Sequence, residues 1–267
     1  SVRLTAQVAG TSKITTFFER SKKFRGVSNA SAGDSFLATR RRPAAGRYYD
    51  MGQVKWTSTI GARVLFEAGY SFSRQNWSLE YQEGVNQERD SAAWFAGASR
   101  QDLILGTRTT AGESQSVTDS TRNVVSSSVS YITGAHAIKT GVQHNFGPRT
   151  GERSANADLV QRYRNGVPDS VIVYNTPNIN EVSMNADLGF YVQDSWRVNN
   201  LTVNAGLRYD YFKATVKANS LPAGRFVPAR SFEQVDLPTF SDLSPRFGVT
   251  YDLFGDGTTA VKAGVNK

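Results

Sequence analysis

From Leu201 onward the chain alternates without a break: Leu201, Val203, Ala205, Leu207, Tyr209 and Tyr211 fall on one side, and Thr202, Asn204, Gly206, Arg208 and Asp210 on the other. A period of two marks a strand with one apolar and one wet face. The run covers about the 9–11 residues that a tilted strand needs to cross a bilayer, against about 5–6 in an ordinary globular strand. Phe190 to Val198 forms a preceding arm, joined to it through Asn199-Asn200. The same pattern recurs at Val64, Phe66, Ala68, Tyr70 and Phe72, and again at Phe247, Val249, Tyr251 and Leu253. Alternation alone also fits a half-exposed soluble sheet. The length of the runs is what points to a membrane barrel.

About ten strands are predicted along the chain, at 2–9, 14–24, 53–60, 63–81, 120–132, 137–147, 186–198, 201–213, 245–254 and 258–266. Tight turns at Gly10 to Lys13, Gly61-Ala62, Thr133 to His136, Asn199-Asn200 and Gly255-Asp256-Gly257 alternate with long segments at 25–52, 82–119, 148–185 and 214–244. Every tight turn then lies at one end of the sheet and every long loop at the other, as in barrels with short periplasmic turns and long extracellular loops. The expected fold is all-β: an antiparallel, up-and-down transmembrane β-barrel fragment. Leu159 to Arg164 and Val171 to Tyr174 read as strand extensions above the membrane. Charges on the lipid side belong near the interfaces, which is where Asp194, Arg20 and Arg74 are expected. Trp56 and Trp196 near tight turns, and Tyr209 and Tyr211 near a long loop, fit interfacial girdles.

Composition narrows this further. Hydrophobic residues make up 39% of the 267 positions, and no run of 18 or more apolar residues suits a transmembrane helix. Any span here must be a strand. Cysteine is absent, which removes disulfides and thiolate metal sites. The net charge of +8 would suit nucleic acid, but Lys and Arg are scattered over wet faces and loops, and no nucleic-acid partner is expected. No initiator Met, basic leader or apolar core of a signal peptide precedes the first strand. With strand-like runs at both ends, the chain reads as an internal piece of a longer protein.

Chemistry-bearing motifs are few. His136 and His144, the only histidines, fall in a turn and on a strand face without a carboxylate at ligand spacing. No Gly-x-Ser-x-Gly elbow or phosphate-binding loop is present. No catalytic residue, metal site or cofactor is assigned, and the protein is not expected to be an enzyme. Arg40-Arg41-Arg42, with Arg47, Tyr48 and Tyr49, is either a grip for an anionic ligand or lipopolysaccharide phosphate or a solvated loop. Trp94-Phe95-Ala96-Gly97 is either a substrate contact or a plug packing its loop on itself.

The runs Phe190 to Tyr211 ("FYVQDSWRV…LTVNAGLRYD"), Leu243 to Asp252 ("LSPRFGVTYD") and Gly257 to Gly264 resemble TonB-dependent outer-membrane receptors. The resemblance is to the Oar-like members, whose full-length forms carry an N-terminal carboxypeptidase-regulatory-like domain. It covers roughly the C-terminal third and implies a barrel of about 22 strands around an N-terminal plug. It also implies energised uptake of a scarce ligand. Implied partners are outer-membrane lipid and lipopolysaccharide, the TonB complex through a plug lying outside these residues, and an extracellular ligand of unknown identity. Tyr191, Trp196, Arg208, Tyr209, Arg246 and Tyr251 match the motifs with structural roles, and no ligand-binding residue is carried over. The alternatives are a passive porin or adhesin-like barrel, a secreted soluble β-protein binding polysaccharide, and an outer-membrane hydrolase.

Overall fold

A computed structural model describes residues 1–267. Ten long strands pair antiparallel in strict chain order: β1 (Val2–Ala9), β2 (Ser12–Ser21), β3 (Tyr48–Ile60), β4 (Val64–Tyr81), β5 (Gln115–Thr133), β6 (His136–Ser154), β7 (Asn178–Val198), β8 (Leu201–Val216), β9 (Phe240–Asp252) and β10 (Ala260–Asn266). The sheet is open, with β1 and β10 at its edges. No helix is long and apolar enough to cross a membrane.

Register fixes the faces. One row of paired residues runs Ala6, Ile14, Trp56, Ala68, Ser127, Val142, Phe190, Tyr209, Leu243 across nine strands. One residue along, the row on the opposite face runs Gln7, Lys13, Thr57, Glu67, Ser128, Gly141, Tyr191, Arg208, Ser244. A slip by one residue would exchange these faces completely, so the pattern specifies its own register.

Only 30 of 267 residues are buried, and Val125, Phe190, Leu207 and Phe247 are 42–51% exposed. Nothing else in the chain packs on the apolar face. The buried apolar side chains, including Tyr81, Val85, Trp94, Ala157 and Val160, gather instead at the end of the sheet that carries the long connections.

The tight turns are short because their residues permit it. Asn199 and Gly134 take φ of 50° and 51°, the left-handed region open to Gly and Asn. Val198 therefore pairs with Leu201, and Thr133 with His136. The last hairpin departs from the expected Gly255-Asp256-Gly257 turn. Asp252 pairs with Ala260, and the Asp252 carboxylate accepts from the amides of Phe254, Gly255 and Gly257 at 2.8–3.3 Å, organising a longer loop.

Strands also run further into the long connections than the sequence pattern suggested. β3 begins at Tyr48, β5 at Gln115, β7 at Asn178 and β9 at Phe240, and β6 continues to Ser154. Toward the long connections the strands pass under folded chain, with Ser78, Leu79, Thr118 and Thr215 buried, so alternation disappears while the ladder continues. Pro245 lies inside β9, not at its start. Its carbonyl accepts from the Lys267 amide, so its nitrogen also faces that side, beyond the end of β10, and no bond to β8 is lost.

Candidate functional site: polar wall and folded cap

The polar face is a connected surface. Glu67 lies 2.5 Å from Lys55 and 3.6 Å from Lys139. Asn145 donates to Asp187 at 2.9 Å, with Arg122 3.8 Å from the same carboxylate. Arg208 pairs with Asp210 at 2.7 Å. Tyr191 lies across Gly141: a Cβ there would sit 2.6 Å from the Tyr191 hydroxyl oxygen. An aromatic side chain covering a cross-strand glycine compensates for the packing that glycine lacks. Such a face needs water or polar protein against it.

The long connections are not open loops. Gly33–Asp34, Ser99–Asp102, Thr107–Thr109, Leu159–Arg164 and Val167–Val173 form a separate five-stranded sheet drawn from three connections. Leu159–Arg164 therefore pairs parallel with Ser99–Asp102 and does not extend the main strands. Asp102 ties two tips together. Its carboxylate accepts from the amides of Ile104, Leu105, Asn165 and Gly166 at 2.7–3.2 Å, and these bonds, led by Leu105, hold it below the ordinary carboxylate value. Beneath it, fully buried Asp158 binds Arg89 at 2.5 Å and the Thr176 hydroxyl at 2.5 Å. The Asn156 amide donates to the Tyr81 hydroxyl at 3.1 Å. Burial pushes the Tyr81 and Tyr174 phenols up to about 12.

The arginine triplet belongs to this packing. Arg40–Arg42 is a strand paired with β4, not a solvated loop. Arg40 donates to the Ser114 carbonyl at 3.1 Å, Arg41 pairs with Glu83, and Arg42 stacks 4.8 Å over Trp77. Arg47 is held by Asn76 and Glu80, each at 2.8 Å. Arg41 and Arg47 are thus paired with carboxylates, while Arg40 and Arg42 rest on a carbonyl and an indole. Trp94, on the short helix Ala92–Ala96, is buried against Ala98, Ala157 and Leu159, the packing role. Phe95 remains 40% exposed beneath Arg225.

Charges on the apolar face sit at its margins and are paired. Arg20 meets Asp50 at 2.7 Å, and Asp50 is the register partner of Arg74. Asp194 lies 2.6 Å from His136, whose ring stacks on Trp196 with planes 3° apart. Tyr209 lies opposite Phe190 on the apolar face, eight residues above the Asn199-Asn200 turn, and β8 continues beyond it to Val216. His144 stacks on Phe146, and no three potential metal ligands come together. Asp102, Asp158 and Asn156 were invisible to sequence reading, since isolated Asx residues in loops carry no spacing signal.

A family model described as "Outer membrane beta barrel domain" matches residues 8–266. The chain belongs to this family. This outer membrane barrel domain is a protein of the bacterial outer membrane, its apolar face set against lipid and its polar face toward the lumen. Solved structures share its fold. The outer membrane transporter YddB from Escherichia coli superposes with TM-score 0.62 at 13% identity, covering 99% of this chain and 30% of that one. The ferric-catecholate import receptor Fiu from E. coli K12 gives 0.58 at 12%, covering 99% and 45%. The ferric yersiniabactin uptake receptor FyuA from Yersinia pestis gives 0.56 at 10%, covering 94% and 34%. The barrel domain thus spans less than half the length of each. Comparison with curated proteins gives no match.

Proposed function

We propose that this domain is part of the barrel of a TonB-dependent, Oar-like outer-membrane receptor that captures an extracellular ligand and imports it with energy relayed by the TonB complex. Residues 1–267 are then one portion of a barrel of about 22 strands around a plug. The observation that carries the reading is the division of labour along the sheet. A two-faced wall is topped by a cap in which three connections fold into one unit, a rigid scaffold presenting binding loops outside the cell. The likeness to an outer membrane transporter and two uptake receptors and the motif resemblance support it.

The test uses the whole protein in its own cells. Accumulation of labelled iron chelates, oligosaccharides, peptides and vitamins is compared between cells with and without the intact gene, with and without a protonophore. Uptake of one class that requires both the gene and the proton gradient is expected. Gene-dependent uptake that survives the protonophore would identify a passive pore and refute the energised reading.

A further inference from the structure

We infer that the turn end of the lumen face is a docking surface for an acidic stretch of polypeptide enclosed by the barrel, which seats a bulky apolar side chain in the wall. The inference rests on the barrel reading, in which this face is the wall of a lumen that holds further polypeptide. Just above the Gly61-Ala62 and Thr133 to His136 turns, the otherwise polar face is broken by Leu65, Ile132 and Ala137. Ile132 pairs with Ala137, Ser130 pairs with both Leu65 and Lys139, and the Ile132 amide donates to the Arg63 carbonyl at 2.9 Å. All six residues line a hollow of about 500 Å³, and Ile132 is 59% exposed.

Charge around the hollow is one-sided. From the turns up to the row of register partners Lys55, Gly69, Ser126, Gln143 and Gly189, the charged residues on this face of β3–β7 are Lys55, Arg63, Lys139, Arg197 and Glu67. Glu67 is shared by the two lysines, 2.5 Å from Lys55 and 3.6 Å from Lys139. Arg63 and Arg197 are exposed and have no ion-pair partner. Asp194 is on the other face, held by His136. Asp187, the next acid on this face, lies above that row and is bound by Asn145 with Arg122 beside it. Four cations thus stand against one carboxylate. β3 and β7 lie four strand spacings apart, about 19 Å, a span that one small anion cannot bridge and an extended acidic chain can. An apolar side chain placed against Leu65, Ile132 and Ala137 leaves water and is stabilised by burial. The hollow therefore supplies the anchor, and the cations around it set the sign of what covers it.

These residues include no cysteine, so Ser130→Cys places a thiol of known position in the hollow, and Ala135→Cys places one on the exposed turn beside it. In isolated outer membranes holding the whole protein, each is timed with neutral N-ethylmaleimide, whose rate does not depend on the local potential. Ser130→Cys should label about tenfold more slowly than Ala135→Cys, as for a surface covered nine-tenths of the time. Adding Arg63→Glu with Arg197→Glu, or raising salt to about 1 M where screening acts within about 3 Å, should each bring the two rates within about twofold. A photoreactive benzoylphenylalanine in place of Ala137 should crosslink to a peptide carrying Asp or Glu beside the point of attachment. Equal rates at the start, slow labelling indifferent to salt or to charge reversal in a folded variant, or crosslinks only to lipid or to peptides without acidic residues overturns the proposal. Heat-modifiable gel mobility verifies that each variant is folded, and the salt arm needs no charge-reversed variant. Protonophore-insensitive uptake would refute energised transport yet leave this protection unchanged, so the two readings fail separately.

Discussion

Val142 and Gln143 are neighbours on β6 that face opposite worlds. Val142 pairs with Ser127 and Phe190 in the central apolar row, while Gln143 pairs with Ser126 and Gly189 on the polar face. Val142 stands six residues above the turn end of β6 at His136. At about 3.4 Å per residue and a tilt of 35–45°, that is roughly 16 Å of height, within a few ångströms of the middle of a ~25 Å apolar band. An arginine on the lipid face at that depth costs about 2–4 kcal/mol, whereas lumen substitutions tune selectivity and not stability. Val142→Arg should therefore lower the folding equilibrium constant about 30- to 900-fold, and Gln143→Arg by less than about 5-fold. Guanidinium titration of the whole protein folded into phospholipid vesicles, read by heat-modifiable mobility, measures both. Equal losses in the two variants, or a larger loss for Gln143→Arg, would refute the assignment of faces.

The cap should respond to pH at both extremes. Because the Asp102 carboxyl is held below its ordinary 3.8, its contribution is present above that value and is lost as pH falls through the lower folded one. Amide exchange at Ile104, Leu105, Asn165 and Gly166 should accelerate together only in strong acid, and an earlier onset near neutrality would contradict this. At the other end, Tyr81 and Tyr174 are pushed up to about 12 from 10.0. Their contribution is complete below pH 10.0 and fades as pH rises through the folded value, so tyrosinate absorbance and cap opening should rise together near 12. Asp158→Asn keeps the side chain's size and its tolerance of a positive φ of 53° but removes the charge bound by Arg89, which is itself 40% exposed. A cost of about 1–2 kcal/mol should raise proteolysis in the 155–177 connection about 5- to 30-fold, and an unchanged rate would show that the pair contributes nothing.

Much of the wall was legible in the sequence because lipid and water impose opposite demands on successive residues. Leu201 to Tyr211 and Val64 to Phe72 declared both their conformation and their faces. The upper ends of the strands did not: Ser116 to Ser120 and Pro148 to Glu152 carry polar residues on both faces, so only their pairing, through partners such as Asn76 and Glu181, reveals them as strands. The cap was hidden for a different reason. Ser99–Asp102 meets Leu159–Arg164, and Arg40 meets Ser114 74 residues away, contacts that leave no local periodicity. Trp94 could be read either as packing or as contact, and burial decided for packing.

In the barrel wall β8 has lipid on one side and a hydrated lumen on the other. Single nitroxide labels from Leu201 to Tyr211, in the whole protein reconstituted in bilayers, report it through collision with oxygen and with a water-soluble nickel chelate. Oxygen should win at Leu201, Val203, Ala205, Leu207 and Tyr209, and the chelate at Thr202, Asn204, Gly206 and Arg208, with a strict period of two. Chelate access at every position, or a period near 3.6, would contradict a strand in the barrel wall.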